Sequence, residues 1–393
     1  MLAAPPLHRL AMTEPALRPF TLAVEDRAVD DLRDRLGRVR WPDEAPQSPW
    51  AYGTSLGFMQ ELVAYWRDGF DWRRTEAALN AWPQYQTRID DIDVHFLHVP
   101  GRGPAPKPLL LSHGWPGSIL EFMKLIPLLT DPAAHGGDAR DAFSVVVPSL
   151  PGYTLSFREN QPRKALPEIG AMFHQLMQRL GYQRYAAQGG DWGSFVTAWL
   201  GAQRPEHVLG IHLNLMPLRR DAAMFDQPDD DEKRYLGELE QFLKEETGYQ
   251  AIQGTRPQTL AFALADSPVG LAAWFAEKYR AWTDCDGDPR NALTMDEMLG
   301  NISLYWFTNC IGASFWPYYA RLHGRWPIDG RITVPTGYCE FPREILRPPR
   351  RAAERVFVDI RRWSVMPRGG HFAALEQPEA LAQEIRAFFR DLS

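Results

Sequence analysis

The chain has 393 residues, 45% of them hydrophobic, and a formal net charge of −6. That length can bury a large core in two or three structural units, and slight acidity without a long basic run argues against a nucleic-acid partner. Three cysteines, Cys285, Cys310 and Cys339, have no metal-like spacing and are expected as free thiols in a reducing, cytoplasmic setting.

Charged residues and prolines interrupt the first twenty positions, so neither a signal peptide nor a membrane anchor is expected there, and disorder is expected for about the first 18. From about Pro19 to Pro83 apolar residues recur at helical spacing, as in Val29-Asp-Asp-Leu32-Arg-Asp-Arg-Leu36. This predicts a helical N-terminal extension over residues 1–90. The period then changes. Ile92-Asp-Val94-His-Phe96-Leu-His-Val99 alternates like a strand, and 108–112 and 143–147 are short apolar runs of the kind buried in parallel sheets, with a helical segment at 119–129 between them. A third run begins at Tyr185, followed by a helix from about Ser194 and a strand over 208–215. Strands separated by helices predict βαβ units, a mostly parallel sheet and a first core segment over 91–216. Residues 217–326 are helical and aromatic and read as an inserted cap. A strand at 332–334 returns the chain to the sheet, and a last helix from Pro378 closes a second core segment over 327–393.

The third apolar run ends in Gly189-Gly190-Asp191-Trp192-Gly193, the small-x-nucleophile-x-small spacing of a strand-to-helix elbow. With aspartate in place of serine, attack on a substrate carbon gives an alkyl ester that water must then cleave. The competing reading is a glycine-rich turn in which Asp191 caps a helix. Upstream, Ser112-His113-Gly114-Trp115-Pro116-Gly117-Ser118 follows a strand and opens a helix, so the Trp115 N–H can join that of Trp192 in an oxyanion hole. The His113 side chain is read as pinning this loop. Late in the chain, Pro367-Arg-Gly369-Gly370-His371-Phe372 sets a histidine on a loop after the last strand, where the base of a nucleophile–acid–histidine order belongs. The acid should follow the strand at 332–334. Glu340, Glu344 and Asp359 all qualify, and order alone leaves Glu340 and Glu344 open.

Together, His113-Gly-Trp-Pro-Gly-Ser118, Gly189-Gly-Asp-Trp-Gly-Ser194, Phe341-Pro-Arg-Glu344 and Arg368-Gly-Gly-His-Phe-Ala-Ala374 resemble the microsomal-type epoxide hydrolases, a family that includes juvenile-hormone and soluble fungal and bacterial enzymes. The resemblance runs from about Pro19 to the C-terminus. It implies an α/β-hydrolase core with a mostly parallel sheet, an inserted helical cap and a helical N-terminal extension. It implies Glu344, in a Phe-Pro-x-Glu segment, as the acid and Glu340 as a bystander. It also implies two cap tyrosines that bind the epoxide oxygen: Tyr249 in Glu246-Thr-Gly-Tyr249, and Tyr318 in Ser314-Phe-Trp-Pro-Tyr318, with the adjacent Tyr319 left open. The reactants implied are an epoxide and water, without cofactor or metal, giving a vicinal diol through an Asp191 ester hydrolysed by His371-activated water; a homo-oligomer is compatible with this. The chain departs from membrane-bound members in lacking an apolar N-terminal stretch. An aspartate followed by Trp192 also suits a haloalkane dehalogenase, and a non-catalytic binding protein could keep the same pocket. The paired tyrosines and Phe-Pro-x-Glu segment argue against the first, and the complete set of catalytic positions against the second.

Overall fold

Apolar runs and alternating segments become nine strands of one sheet among the described residues of this computed structural model, which are 17–46, 48–219, 225 and 227–392. The strands are β1 (Arg18–Pro19), β2 (Gln84–Ile89), β3 (Ile92–Val99), β4 (Lys107–Ser112), β5 (Phe143–Pro148), β6 (Tyr185–Gly189), β7 (Val208–Leu213), β8 (Thr336–Glu340) and β9 (Ile360–Val365). Their order is β1-β2-β3-β5-β4-β6-β7-β8-β9. Strands β1, β2 and β3 pair antiparallel, as does β3 with β5, and every pair from β5 to β9 is parallel. The expectation of N-terminal disorder falls mostly on 1–16, outside the described residues; Arg18 and Pro19 lie in the sheet.

The central strands are buried on both faces, as their unbroken apolar runs require: Leu109, Leu110, Leu111, Val145, Val146 and Val147 have no exposed surface. The helices are α1 (Asp26–Leu36), α2 (Leu56–Asp68), α3 (Trp72–Asn80), α4 (Leu125–Thr130), α5 (Leu166–Arg179) and α6 (Asp191–Gln203), then α7 (Asp230–Glu245), α8 (Gly248–Thr255), α9 (Pro257–Asp266), α10 (Pro268–Trp282), α11 (Met295–Thr308), α12 (Ile311–Ser314) and α13 (Trp316–His323), and finally α14 (Arg350–Ala353), α15 (Ala373–Glu376) and α16 (Pro378–Phe389). Helix α5 packs on α6, and α16 on α4. Helices α7 to α13 run between β7 and β8 and form the cap. The N-terminal helices strap onto it: α1 and α2 contact α10, α2 and α3 contact α11, and buried Trp66 donates from its indole to Ser303 at 3.0 Å. No single described helix is long and apolar enough to cross a membrane. The three cysteines are buried free thiols, as expected.

Three boundaries differ from the sequence reading. Residues 84–89, placed in the extension by the boundary at 90, form β2, whose pairing with β3 makes it part of the sheet. The strand expected at 332–334 is a single bridge from Ile332 to Phe357, and the strand proper starts at Thr336, after Pro335, which has no N–H for a ladder. The helix expected over 119–129 is a 3₁₀ turn, Ile119–Phe122, followed by α4, so that Pro127 falls in a first turn, where no N–H is needed.

The tightest packing joins the end of β4 to the β6–α6 turn. A Cβ on Gly193 would stand 1.9 Å from the Ser112 carbonyl oxygen, and one on Gly189 would stand 2.2 Å from the Gly193 oxygen. Both contacts are with backbone, which cannot swing aside. Gly193→Ala should therefore destabilise the fold by about 2 kcal/mol or more. Gly237→Ala, in the exposed middle of α7 with nothing within 4 Å of the new Cβ, should stabilise it by about 0.5–1 kcal/mol. Thermal unfolding of the two variants checks this; equal effects would mean that the approach of β4 to α6 is slack.

Candidate active site

The ends of β4, β6, β8 and β9 bring four loops to one place at the carboxyl edge of the parallel sheet, where ligands bind in open α/β sheets. At the end of β6, Asp191 has φ of +47°, a strained conformation for a non-glycine residue, and it begins α6. Its Oδ1 accepts a hydrogen bond from the Trp115 N–H at 2.8 Å. Gly114 makes room for this: a Cβ there would lie 2.1 Å from Oδ1. Trp192 follows in the first turn of α6, where N–H groups have no intrahelical partner. His113 holds the loop as expected. Its Nδ1–H donates to the Gly114 carbonyl at 3.0 Å and its Nε2 accepts from the Leu150 N–H at 3.1 Å, while burial drives its pKa down to about 4.

His371 reaches Asp191 from the loop after β9. Its Nε2 stands 3.3 Å from Asp191 Oδ2, and its Nδ1 donates to Glu344 Oε1 at 2.6 Å. Glu344 Oε1 also accepts from the Ile345 N–H at 2.7 Å, and its side chain is fully buried. Burial opposes charge on His371, but the Glu344 and Asp191 carboxylates outweigh it and hold the imidazole pKa well above its ordinary value. Glu344 is thus the acid brought to the histidine. Asp359 instead pairs with Arg361 at 2.8 Å, and Glu340, at the end of β8, has its pKa raised by burial against the pull of Arg347. The histidine loop is fastened to the end of α10: the His371 N–H donates to the Trp282 carbonyl at 2.8 Å and the Gly369 N–H to the Asp284 carboxylate at 2.9 Å. Glu376 accepts from the N–H groups of Asp284 and Phe372 at 2.8 and 3.0 Å.

Over this floor hang Tyr249 on α8 and Tyr318 on α13. The two rings meet edge to face at 5.6 Å; Tyr249 stacks on Trp115 at 5.5 Å, and Tyr318 lies 4.7 Å from Trp192. Both line one cleft with Asp191, Trp192 and Phe195. Burial, with Tyr249 and Asp191 adding to it, raises the Tyr318 pKa well above that of a free phenol, so its hydroxyl stays protonated. Tyr319 is turned away from this cleft and stacks on His323 at 4.0 Å.

Residues 17–122 match the family described as the epoxide hydrolase N terminus, and residues 107–254 match the alpha/beta hydrolase fold. Epoxide hydrolase 1 of Sus scrofa is 37% identical, over 96% of this chain and 89% of its own length. The chain belongs to the epoxide hydrolase family. Among solved structures, the Aspergillus niger epoxide hydrolase is 30% identical with a TM-score of 0.84, covering 97% of this chain and 99% of that one. The juvenile hormone epoxide hydrolase of the silkworm Bombyx mori is 29% identical with a TM-score of 0.86, covering 96% and 95%. The protein is an epoxide hydrolase on an α/β-hydrolase scaffold, and its reactants are an epoxide and water.

One acid of this epoxide hydrolase escaped the sequence reading. Glu121 lines a small cavity with Asp191 and His371 and, on its other side, a cavity of about 360 Å³ walled by α3 and α11. Burial pushes its pKa up to about 8, against the pull of charged His371 and with the push of Asp191. The signal in the sequence is a lone acid in the apolar run Ile119-Leu120-Glu121-Phe122. Because its folded pKa lies above the unfolded value, wild-type stability falls as pH rises from about 4.5 to about 8 while the folded chain keeps a proton that the unfolded chain has released. Glu121→Gln removes this term. Its unfolding temperature relative to wild type should climb between pH 5 and 8; a pH-independent difference would place a charged, solvated carboxylate at this position.

Proposed function

We propose that this enzyme hydrolyses its epoxide in two covalent steps centred on Asp191. Asp191 Oδ2 attacks an epoxide carbon, the carbon–oxygen bond of the strained ring breaks, and the freed oxygen is met by the hydroxyls of Tyr249 and Tyr318. His371, held by Glu344, then takes a proton from water as that water attacks Cγ of the ester. Charge builds on Oδ1, which already rests on the Trp115 N–H, and the Trp192 N–H in the first turn of α6 serves as second donor, each donor contributing about 3 kcal/mol in comparable sites. Collapse of this intermediate breaks the Cγ–Oδ2 bond; Oδ2 leaves with a proton from His371, the new carboxyl returns its proton to the imidazole, and the diol is released. Oδ2 leaves in the product, and the water oxygen stays in Asp191.

The observation that supports this reading best is the division of the Asp191 carboxylate, with Oδ1 on the Trp115 N–H at 2.8 Å and Oδ2 at 3.3 Å from His371 Nε2. It supplies a reason for the order of steps. While Asp191 is a carboxylate, two anions hold the proton on His371 and keep it from acting as a base. Ester formation removes one of them, the imidazole pKa falls, the proton it gives up balances the one taken up by the new alkoxide, and the base becomes available only when there is an ester to hydrolyse. On this reading the cap (217–326) supplies the tyrosines that bind oxygen, and the two core segments supply nucleophile, acid and base. The buried thiols go with a cytoplasmic setting.

His371→Gln should form the ester and fail to cleave it, so intact-protein mass after mixing with styrene oxide should rise by the mass of the whole epoxide, mapped to Asp191. Wild type under single turnover in ¹⁸O-water should carry the label in Asp191 and not in the diol. Label in the diol, or an adduct on another residue, would overturn the two-step reading. Tyr249→Phe should slow ester formation about ten-fold or more and leave ester hydrolysis nearly unchanged.

A further inference from the structure

Lys278 lies on α10 among aromatic side chains, in surroundings that a lysine ordinarily avoids. It is 4% exposed, and its Nζ stands 4.3 Å from the centre of the Tyr249 ring and 5.4 Å from that of Trp282. Its ion-pair partner, Glu277, is on the same helix with a side chain 31% exposed against 6% for the lysine, so the counter-charge lies nearer to solvent than the ammonium. A single half-buried carboxylate offsets only part of the loss of hydration. The electron-rich face of Tyr249 is the other partner, held in place by its stacking on Trp115 with 11° between the ring planes.

We propose that Lys278 is a positioning residue whose buried charge makes Tyr249 a stronger hydrogen-bond donor and so speeds the ester-forming step. This rests on the role given to Tyr249 under the proposed function. When the epoxide opens, one unit of negative charge leaves the Asp191 carboxylate and arrives on the ring oxygen under the tyrosine hydroxyls, toward the lysine. A cation against the phenol ring stabilises negative charge shared onto the phenol oxygen, and in a site that excludes water the attraction is strong. In the second step the charge builds at Asp191 Oδ1, on the Trp115 N–H, and the lysine is of no use there. Sequence reading has no access to this residue, because Glu277-Lys278 in a helix reads as solvated surface.

Other charged groups around this position are Glu246 at the end of α7, and Glu277 and Arg280 on α10. Burial and the neighbouring Glu277 raise the Glu246 pKa, and Lys278 opposes them. Tyr318 faces the Tyr249 ring, and Asp191 lies across the cleft. A lysine that merely balanced Glu246 and Glu277 would affect unfolding temperature and leave the individual chemical steps alone.

The test is rapid-quench single turnover, with an epoxide that wild type hydrolyses, in wild type, Lys278→Met, Lys278→Arg, Tyr249→Phe and the Lys278→Met/Tyr249→Phe double variant. Lys278→Met should slow ester formation about ten-fold and keep ester hydrolysis within about two-fold of wild type. Lys278→Arg should keep most of the rate, and the lysine change should add nothing once the Tyr249 hydroxyl is gone. Should Lys278→Met not fold, Lys278→Gln takes its place with the same readouts. Unchanged ester formation, or an equal slowing in the Tyr249→Phe background, would overturn the role of Lys278 and leave that of Tyr249 standing. Tyr249→Phe at the wild-type rate would instead overturn the reading of Tyr249 itself, and this inference with it.

Discussion

The backbone of the loop after β4 passes so close to the β6–α6 turn that no side chain fits between them, and the site depends on this approach. Gly193 meets the Ser112 carbonyl and Gly114 meets the Asp191 carboxylate. Because the contact is made of main chain, it sets the position of the Trp115 N–H relative to Asp191 more sharply than side chains could, and the strained φ of Asp191 is held by it. Sheet order then does the rest. With β4 and β6 adjacent and β8 and β9 two and three strands beyond β6, the acid and histidine loops can converge on the same carboxylate from the other side.

Electrostatics sorts the carboxyls of this centre by what surrounds each. Asp191 and Glu344 share one imidazole, which their combined field keeps protonated. Glu121, which shares a small cavity with both Asp191 and His371, has its pKa raised by burial to about 8. A third full negative charge beside these two would be costly, and the folded chain avoids it by retaining a proton. On the other wall the Lys278 ammonium stands over the Tyr249 ring, so anions lie on the floor of the pocket and a cation behind its roof.

Much of this was legible in the chain. Leu109-Leu110-Leu111 and Val145-Val146-Val147 announce buried parallel strands, and the glycines around Asp191 and His371 announce loops that must bend sharply or pass close to other backbone. The edge of the sheet was harder to see. Gln84, Gln86, Thr87 and Arg88 carry no apolar run, because β2 belongs to an antiparallel hairpin at the margin, and only its pairing with β3 makes it core. Pro127 and Pro335 shifted two element boundaries for lack of a single N–H each. Within the site, spacing alone could not separate Glu340 from Glu344, since where a side chain at a strand end or in the loop after it points is set by tertiary packing. Glu121 and Lys278 were hidden for a related reason: a charged residue in a helical pattern looks solvated until the fold places other atoms over it.

The fastening of the histidine loop to the end of α10 bears on how such enzymes can be recombined. A Cβ on Gly370 would lie 2.4 Å from the Trp282 carbonyl oxygen, and the His371 N–H, the Asp284 carboxylate and Glu376 join the same two segments. One segment belongs to the insert and the other to the last loop of the sheet. The insert is therefore not an interchangeable module. A chimera that takes residues 268–284 from one parent and 369–376 from another would receive a substrate roof and a water-activating base that were never fitted to each other. Crossovers that keep the two segments together preserve the placement of His371.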